Sequence, residues 1–262
     1  MSYKYKVSII LPGIRPHNWL KFYNSVVDSC NKHSWEIIFV SPFDMPDNMS
    51  SKDNIKYLKD FGCPTRCVQR ATTVAEGELY ALGADDGYYL NNAFSESIDL
   101  YDQVASKKDI IIQKYMEGPD MKGDVLPKER YMVRKSEAAS VYLPAHYMFA
   151  MNPLVNMNYF REIGGYDCCF EFTSFAAHDF SYRVQRDGGN LFLSNSEVLT
   201  VDYMPDVTGD HAPVHYAYYH DMPLCRQMYQ DPNVVNRIKI DFDNWKSSPE
   251  VWVRRWPNGV LK

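Results

Sequence analysis

A chain of 262 residues, 45% hydrophobic and 23% charged, has the composition of an ordinary globular protein and the length of one large core or a core with an extension. Its net charge of −5 argues against a dedicated nucleic-acid binder, which needs a basic excess to neutralise phosphates. No stretch approaches the roughly 20 apolar residues that span a bilayer, and the N-terminal segment lacks a signal-peptide pattern, so a soluble cytoplasmic protein without a transmembrane segment is expected.

In chain order, Tyr5–Leu11 is a continuous apolar, β-branched run. It reads as a strand covered on both faces, ended by Pro12-Gly13. A helical pattern follows, with Trp19, Leu20, Phe22, Tyr23, Val26 and Val27 on one side. Trp35–Ser41 is a second buried strand, stopped by Pro42. Strand, helix and strand within about 40 residues predict a parallel βαβ unit. Residues 44–55 read as a loop, Arg66–Gln69 as a short strand and Thr72–Glu76 as a short helix. Leu79–Leu82 is a strand that runs into Gly83-Ala84-Asp85-Asp86-Gly87. Residues 96–106 read as helix, Asp109–Gln113 as a buried strand and 114–135 as a polar insertion or flexible loop. Asn156–Ile163 is a helix closed by Gly164-Gly165, and Asp179–Arg186 a helix closed by Gly188-Gly189. Leu191–Leu193 and Val198–Tyr203 are short strands. Past residue 205 the chain is rich in His and Tyr, is helical in part over 221–246, and ends in a tail carrying Trp252, Arg254, Arg255 and Trp256.

Three segments carry chemistry. Asp85 and Asp86 stand together where an apolar strand ends, the place at which open α/β sheets bind ligands. Adjacent carboxylates repel unless a cation sits beside them, so a hard divalent ion that also holds a diphosphate is the natural partner. The plain alternative is an acidic surface turn. In Gly164–Gly189, Asp179 opens a helix and Arg183 lies one turn on, so a simple N-cap with a helical ion pair is the competing reading. Among His211, His215 and His220, the first is expected to reach the metal held by the carboxylates, against the alternative of a solvated loop. The six cysteines, Cys30, Cys63, Cys67, Cys168, Cys169 and Cys225, lack zinc-ribbon spacing and read as reduced buried thiols.

The order of these pieces resembles glycosyltransferase family 2, the inverting enzymes of the GT-A fold. The resemblance rests on VSIILPGIR, on EIIFVSPFD, on Gly83-Ala84-Asp85-Asp86, and on Gly164-Gly165-Tyr166-Asp167 followed by His178-Asp179 and Arg183. It covers about residues 5–205. It implies a Rossmann-like α/β domain with a mixed, mostly parallel central sheet flanked by helices, spanning 1–205, with 206–262 as an extension packed on it. It further implies a metal-dependent transfer from a nucleotide-sugar donor, a UDP-sugar being favoured, to a hydroxyl on a glycan, lipid, protein or modified nucleic-acid base. Asp85 and Asp86, with His211, would hold Mn²⁺ or Mg²⁺. Pro12, Gly13, Arg15, Ser41 and Arg70 would join the two aspartates around the donor. Asp179 would be the general base, with Gly165, Tyr166, Asp167 and His178 on the acceptor side.

The chain departs from the family pattern at three points. Gly83 stands where the first acid is usual, Ser41-Pro42 where the uracil-contacting acid is usual, and His178 where a Glu precedes the base. Two further readings compete. A nucleotidyltransferase also pairs carboxylates with metal, but PGIRPHN has a single Gly for its phosphate loop. A catalytically inactive GT-A-like module that binds glycan or protein would account for the departures.

Overall fold

The structure is a computed structural model that describes residues 3–118, 124–133, 143, 146–202 and 212–247. The first unit is β1 (Tyr5–Pro12), α1 (Trp19–Ser29) and β2 (Trp35–Ser41), followed by β3 (Ile55–Lys59). Val7, Ile9, Ile10 and Leu11 are all fully buried. Successive strand residues point to opposite faces, so β1 is covered on both sides. Trp19 opens α1 and stacks on Phe39 of β2 at 4.5 Å between ring centroids, which fixes the helix against the sheet.

Next come α2 (Pro64–Ala71), β4 (Gly77–Leu82), β5 (Gly87–Tyr89), α3 (Ala93–Val104) and β6 (Ile110–Gly118). The short strands β7 (Asp124–Val125), β8 (Met132–Val133), β9 (Tyr147–Met148) and β10 (Pro153–Asn156) lead to α4 (Met157–Glu162) and α5 (Thr173–Arg186). The last elements are β11 (Leu191–Asp202), α6 (Ala212–Met228) and α7 (Pro232–Asn236). The main sheet runs β3-β2-β1-β4-β10-β6-β11-β5, with β7 beside β6, and β8 pairs with β9 separately. Pairing is parallel for β1 with β2 and β4, for β2 with β3, and for β6 with β11. β10 inserts antiparallel between β4 and β6. This is the mixed, mostly parallel sheet that the family resemblance implies. Because β1 to β4 are parallel, Pro12, Ser41, Lys59 and Leu82 all end at one edge.

Several elements differ from expectation. Arg66–Gln69 is the middle of helix α2, not a strand. Pro64 takes the first helical turn, the Cys63 sulfur accepts from the Arg66 N–H, and Cys67, Val68 and Ala71 are buried at helical spacing. Residues 72–76 precede β4 without forming a helix. The two strands expected after residue 190 are one strand, β11, kinked between Leu193 and Glu197 by a register shift. Lys114–Gly118, read as loop, extends β6. Helix α5 begins at Thr173, six residues before Asp179, so Asp179 lies inside the helix.

Residues near position 240 pack on this frame. The Ile240 N–H donates to the Ile163 carbonyl at 3.1 Å, and the Gln69 amide donates to the Phe242 carbonyl at 3.1 Å. His211 and the tail from Trp252 to Trp256 lie outside the described residues. Among the described residues no helix is long and apolar enough to cross a membrane. The six cysteines carry free thiols, and burial pushes those of Cys30 and Cys225 up to about 12.

Candidate active site

At the edge where β1 and β4 end, Asp85 is a buried carboxylate with three donors. The backbone N–H groups of Ile14 and Arg15 each reach its Oδ2 at 2.6 Å, and the Arg15 guanidinium reaches its Oδ1 at 2.7 Å. Asn18 adds a bond to the Asp85 carbonyl at 2.9 Å. The Pro12–Arg15 turn is therefore bound to the acidic turn. Burial, with the charge of Asp86, pushes the Asp85 carboxyl up from its ordinary value, against the pull of the Arg15 guanidinium and N–H. Asp86 is the more accessible of the pair, 24% exposed, with its Oδ2 at 3.8 Å from Arg15.

Gly83, where the family pattern has an acid, has a packing cause. A Cβ there would lie 2.8 Å from the tip of the buried Phe22 ring. Gly83→Asp is accordingly expected to lower stability by about 1–3 kcal/mol in thermal melts, through overpacking and a buried charge.

Two other residues expected at the donor lie on the same edge. Ser41 is fully buried, and its hydroxyl accepts from the Phe43 N–H at 3.0 Å, so it faces inward instead of lining an open site. Arg70 bonds the Asp60 carboxylate and the Lys59 carbonyl, each at 2.7 Å, and Arg66 reaches the same Asp60 at 3.0 Å. The Asp60 N–H donates to the Ser41 carbonyl at 3.1 Å, which places this pair of arginines beside the end of β2.

Asp179 sits in a different setting. It is 1% exposed, and both its oxygens are engaged. Arg183 binds Oδ2 at 2.7 Å, while Arg237 at 2.7 Å and the Tyr229 hydroxyl bind Oδ1. Burial alone would push this carboxyl up; the Arg183 and Arg237 charges outweigh it and hold it below its ordinary value. Arg183 is itself fully buried and donates to the carbonyls of Ile163, Gly165 and Ile238. Arg237 also binds Asp167 at 2.8 Å. Tyr166 is fully buried, with its N–H bonded to Gln69 at 2.9 Å. Gly164 and Gly165 have φ of +94° and +65°, and a Cβ on Gly164 would strike the Ile240 carbonyl. Gly165, Tyr166, Asp167 and Asp179, expected around an acceptor, thus come together in an interior network that binds α2, α5 and residues 237–244. A carboxylate saturated by two arginines and a tyrosine is geometrically an anchor and a weak proton acceptor.

His178 stands apart from that network. Half-buried, it stacks on Phe149 at 3.9 Å, and its Nδ1 is 2.8 Å from the Tyr147 hydroxyl. Burial, aided by the charge of Arg130, pushes it down to about 3, so it is neutral near pH 7. Arg130 pairs with Glu117 at 3.6 Å. Glu117 is raised by burial and, in smaller part, by the charge of Asp86.

A second polar group lies at the start of α5. Asp221 is fully buried and accepts from the N–H groups of Glu171 at 3.0 Å and Phe172 at 2.6 Å. It also holds His220 Nδ1 at 2.7 Å. Burial pushes Asp221 up to about 6 against the pull of His220 and the Phe172 N–H. The sequence marks His220 only as one of three histidines, and neither Asp221 nor Arg237 shows a signal there, because the backbone N–H groups and carboxylates they bind are 49 to 70 residues away.

For the metal, the residues fit in part. Asp86 presents a carboxylate at the edge, whereas Asp85 spends both oxygens on Arg15 and the Ile14 and Arg15 N–H groups. Among the described residues no group of three His, Cys, Asp or Glu is arranged to hold an ion, and His211 is not among them.

The architecture is the GT-A fold. Three crystal structures of S. aureus TarS share it. One matches with a TM-score of 0.56 at 15% identity, over 84% of this chain and 39% of that one. TarS 1–349 in complex with UDP matches at 0.55 and 14% identity, over 89% of this chain and 70% of that one. TarS 1–349 in complex with UDP-GlcNAc matches at 0.57 and 14%, over 89% and 71%. The chain thus spans about two fifths of the first of these. No protein-family model and no curated protein matches the sequence.

Proposed function

We propose that this chain is a glycosyltransferase that moves a sugar from a nucleoside-diphosphate sugar, UDP-linked, to a hydroxyl acceptor with inversion at the anomeric carbon. The observation that carries this reading is the shared fold over 89% of the chain with a protein crystallised with UDP-GlcNAc. The Arg15–Asp85 lock at the sheet edge that such folds use for ligands supports it. The Pro12–Arg15 turn would receive the nucleotide, and Arg15 would face the diphosphate. Asp86 would supply a carboxylate to Mn²⁺ or Mg²⁺, with His211 as a further ligand. When bound, such an ion would neutralise charge on the leaving diphosphate. Asp85 would keep the turn in place, and Asp179 would brace the Gly164–Asp167 turn beneath the acceptor side.

A panel of nucleotide sugars, assayed by mass spectrometry with and without Mn²⁺, tests the reading. Consumption of a UDP-sugar with release of nucleoside diphosphate is expected. Release of pyrophosphate would point to nucleotidyl transfer, and absence of any turnover with retained glycan binding to an inactive module. Asp86→Ala is expected to abolish the metal-dependent part of donor binding; calorimetry showing unchanged donor and Mn²⁺ affinity would remove Asp86 from that role.

A further inference from the structure

With Asp85 spent on the Pro12–Arg15 turn, Asp86 is left as the one carboxylate of the acidic turn that can meet an ion. We propose that Asp202, the last residue of β11, supplies the second carboxylate to the same divalent cation. The inference deepens the metal site of the glycosyltransferase reading above, and it rests on that reading for the diphosphate that completes the ion's shell.

The placement follows from the sheet register. β11 pairs antiparallel with β5, Thr200 opposite Tyr88 and Val201 opposite Gly87. One step further, Asp202 stands opposite Asp86. The ladder holds at that step, because the Asp202 N–H donates to the Asp86 carbonyl at 2.8 Å. Directly opposite residues of an antiparallel pair send their side chains to the same face, with Cβ atoms about 4.5–5.5 Å apart. Two aspartates at that spacing can both reach one small cation, whose oxygen ligands lie about 2.0–2.1 Å from it.

The surroundings leave Asp202 in need of such a partner. Its Oδ1 is buried and accepts no hydrogen bond among the described residues. Its neighbour on the other flank, across the pairing with β6, is Gly118, which has no side chain to offer one. The Arg15 guanidinium is bonded to Asp85 at 2.7 Å and stands 3.8 Å from Asp86. Like charges directly opposite one another destabilise a ladder, and a buried carboxylate oxygen without a donor adds a desolvation cost. A hard divalent cation offsets both.

The donor set suits Mg²⁺ or Mn²⁺ beside a diphosphate. An octahedral ion of this kind takes one or two protein carboxylates and fills its other positions with phosphate oxygens and water. A facing pair of aspartates is therefore sufficient, and a cluster of three protein ligands is not required.

The test uses the full chain and reads binding instead of turnover, with Mn²⁺ and UDP as probes. Electron paramagnetic resonance follows free Mn²⁺, and calorimetry follows UDP with and without the ion. Asp202→Asn keeps the side-chain shape and the backbone bond to Asp86. It is expected to weaken Mn²⁺ binding in the presence of UDP by roughly 10- to 100-fold and to leave metal-free UDP affinity unchanged. The metal-free variant should melt at or above the wild-type Tm, since one of two facing charges is gone; a carboxylate kept only for structure would give a lower Tm. Asp202→Glu, which retains the charge, should recover part of the Mn²⁺ affinity. Wild-type Mn²⁺ affinity in Asp202→Asn overturns this inference alone. So does a wild-type chain that turns over a nucleotide sugar and binds no Mn²⁺ with UDP present. Mn²⁺ binding that is lost in Asp202→Asn, in a chain that turns over no nucleotide sugar, supports the paired carboxylates and overturns the glycosyltransferase reading.

Discussion

Asp179→Ala is expected to destabilise the protein by about 3–5 kcal/mol, read as a lower denaturation midpoint at unchanged m-value. The change leaves the fully buried Arg183 guanidinium without its carboxylate and removes the bond that joins Arg237 to α5. A removed general base would give the opposite pattern, full stability with no transfer. The pH dependence adds a check. The two arginines hold the Asp179 carboxyl below its unfolded value, so the folded state favours the ionised form. Its contribution is complete above the usual carboxylate range of about 4 and is lost as pH falls through the depressed folded value. Wild type should therefore lose stability on acidification more steeply than Asp179→Asn. Equal slopes would show that the carboxylate is not braced as described.

Asp85→Ala should produce the second large effect, and it should be seen in both stability and donor binding. Three donors, the Ile14 N–H, the Arg15 N–H and the Arg15 guanidinium, lose their acceptor in a buried setting. A cost of roughly 3 kcal/mol follows from unpaired buried donors and a broken buried ion pair. The freed Pro12–Arg15 turn should bind a UDP-sugar on the order of tenfold more weakly, because the turn must be ordered again on binding. Asp85→Asn keeps one acceptor oxygen and should fall between the two. Calorimetry that finds donor affinity unchanged in Asp85→Ala would separate this turn from the nucleotide.

Much of the frame was legible because it is written locally. YKVSIIL and WEIIFVS are apolar on both faces, and only a strand inside a covered sheet buries such a run. Helix α2 reads as strand because its buried apolar set, Cys67, Val68 and Ala71, is short, and the Pro at its first turn is the one signal that favours helix. The edge strand β3, IKYLK, is only partly buried, so no apolar run marks it in the sequence. The start of α5 reads six residues late in the sequence because Phe172 gives no side-chain cap, while Asp179 looks like one. At the site, the acidic turn was found because its carboxylates are adjacent in sequence. The partners of Asp179 were found only as far as Arg183, one helical turn away. Arg237 and Tyr229 come from more than one element further along, and spacing says nothing about such pairs. The same holds for Asp221, whose acceptor role depends on N–H groups about 50 residues earlier.

The Gly164–Asp167 turn has a consequence for how the molecule assembles. Its floor is the Ile240 backbone, and its walls include Gln69, whose amide also binds the Phe242 carbonyl. Segments near positions 69, 164 and 240 must meet before any of them is settled. Contacts of such wide sequence separation form late and slowly, since the entropy of closing the loops comes before the reward. During synthesis the βαβ portion can therefore collapse early, while the floor of the turn waits until residues 240–242 have emerged. A clipped or stalled product ending before residue 237 would expose the Asp179–Arg183 pair and should be a substrate for proteolysis instead of a smaller folded protein.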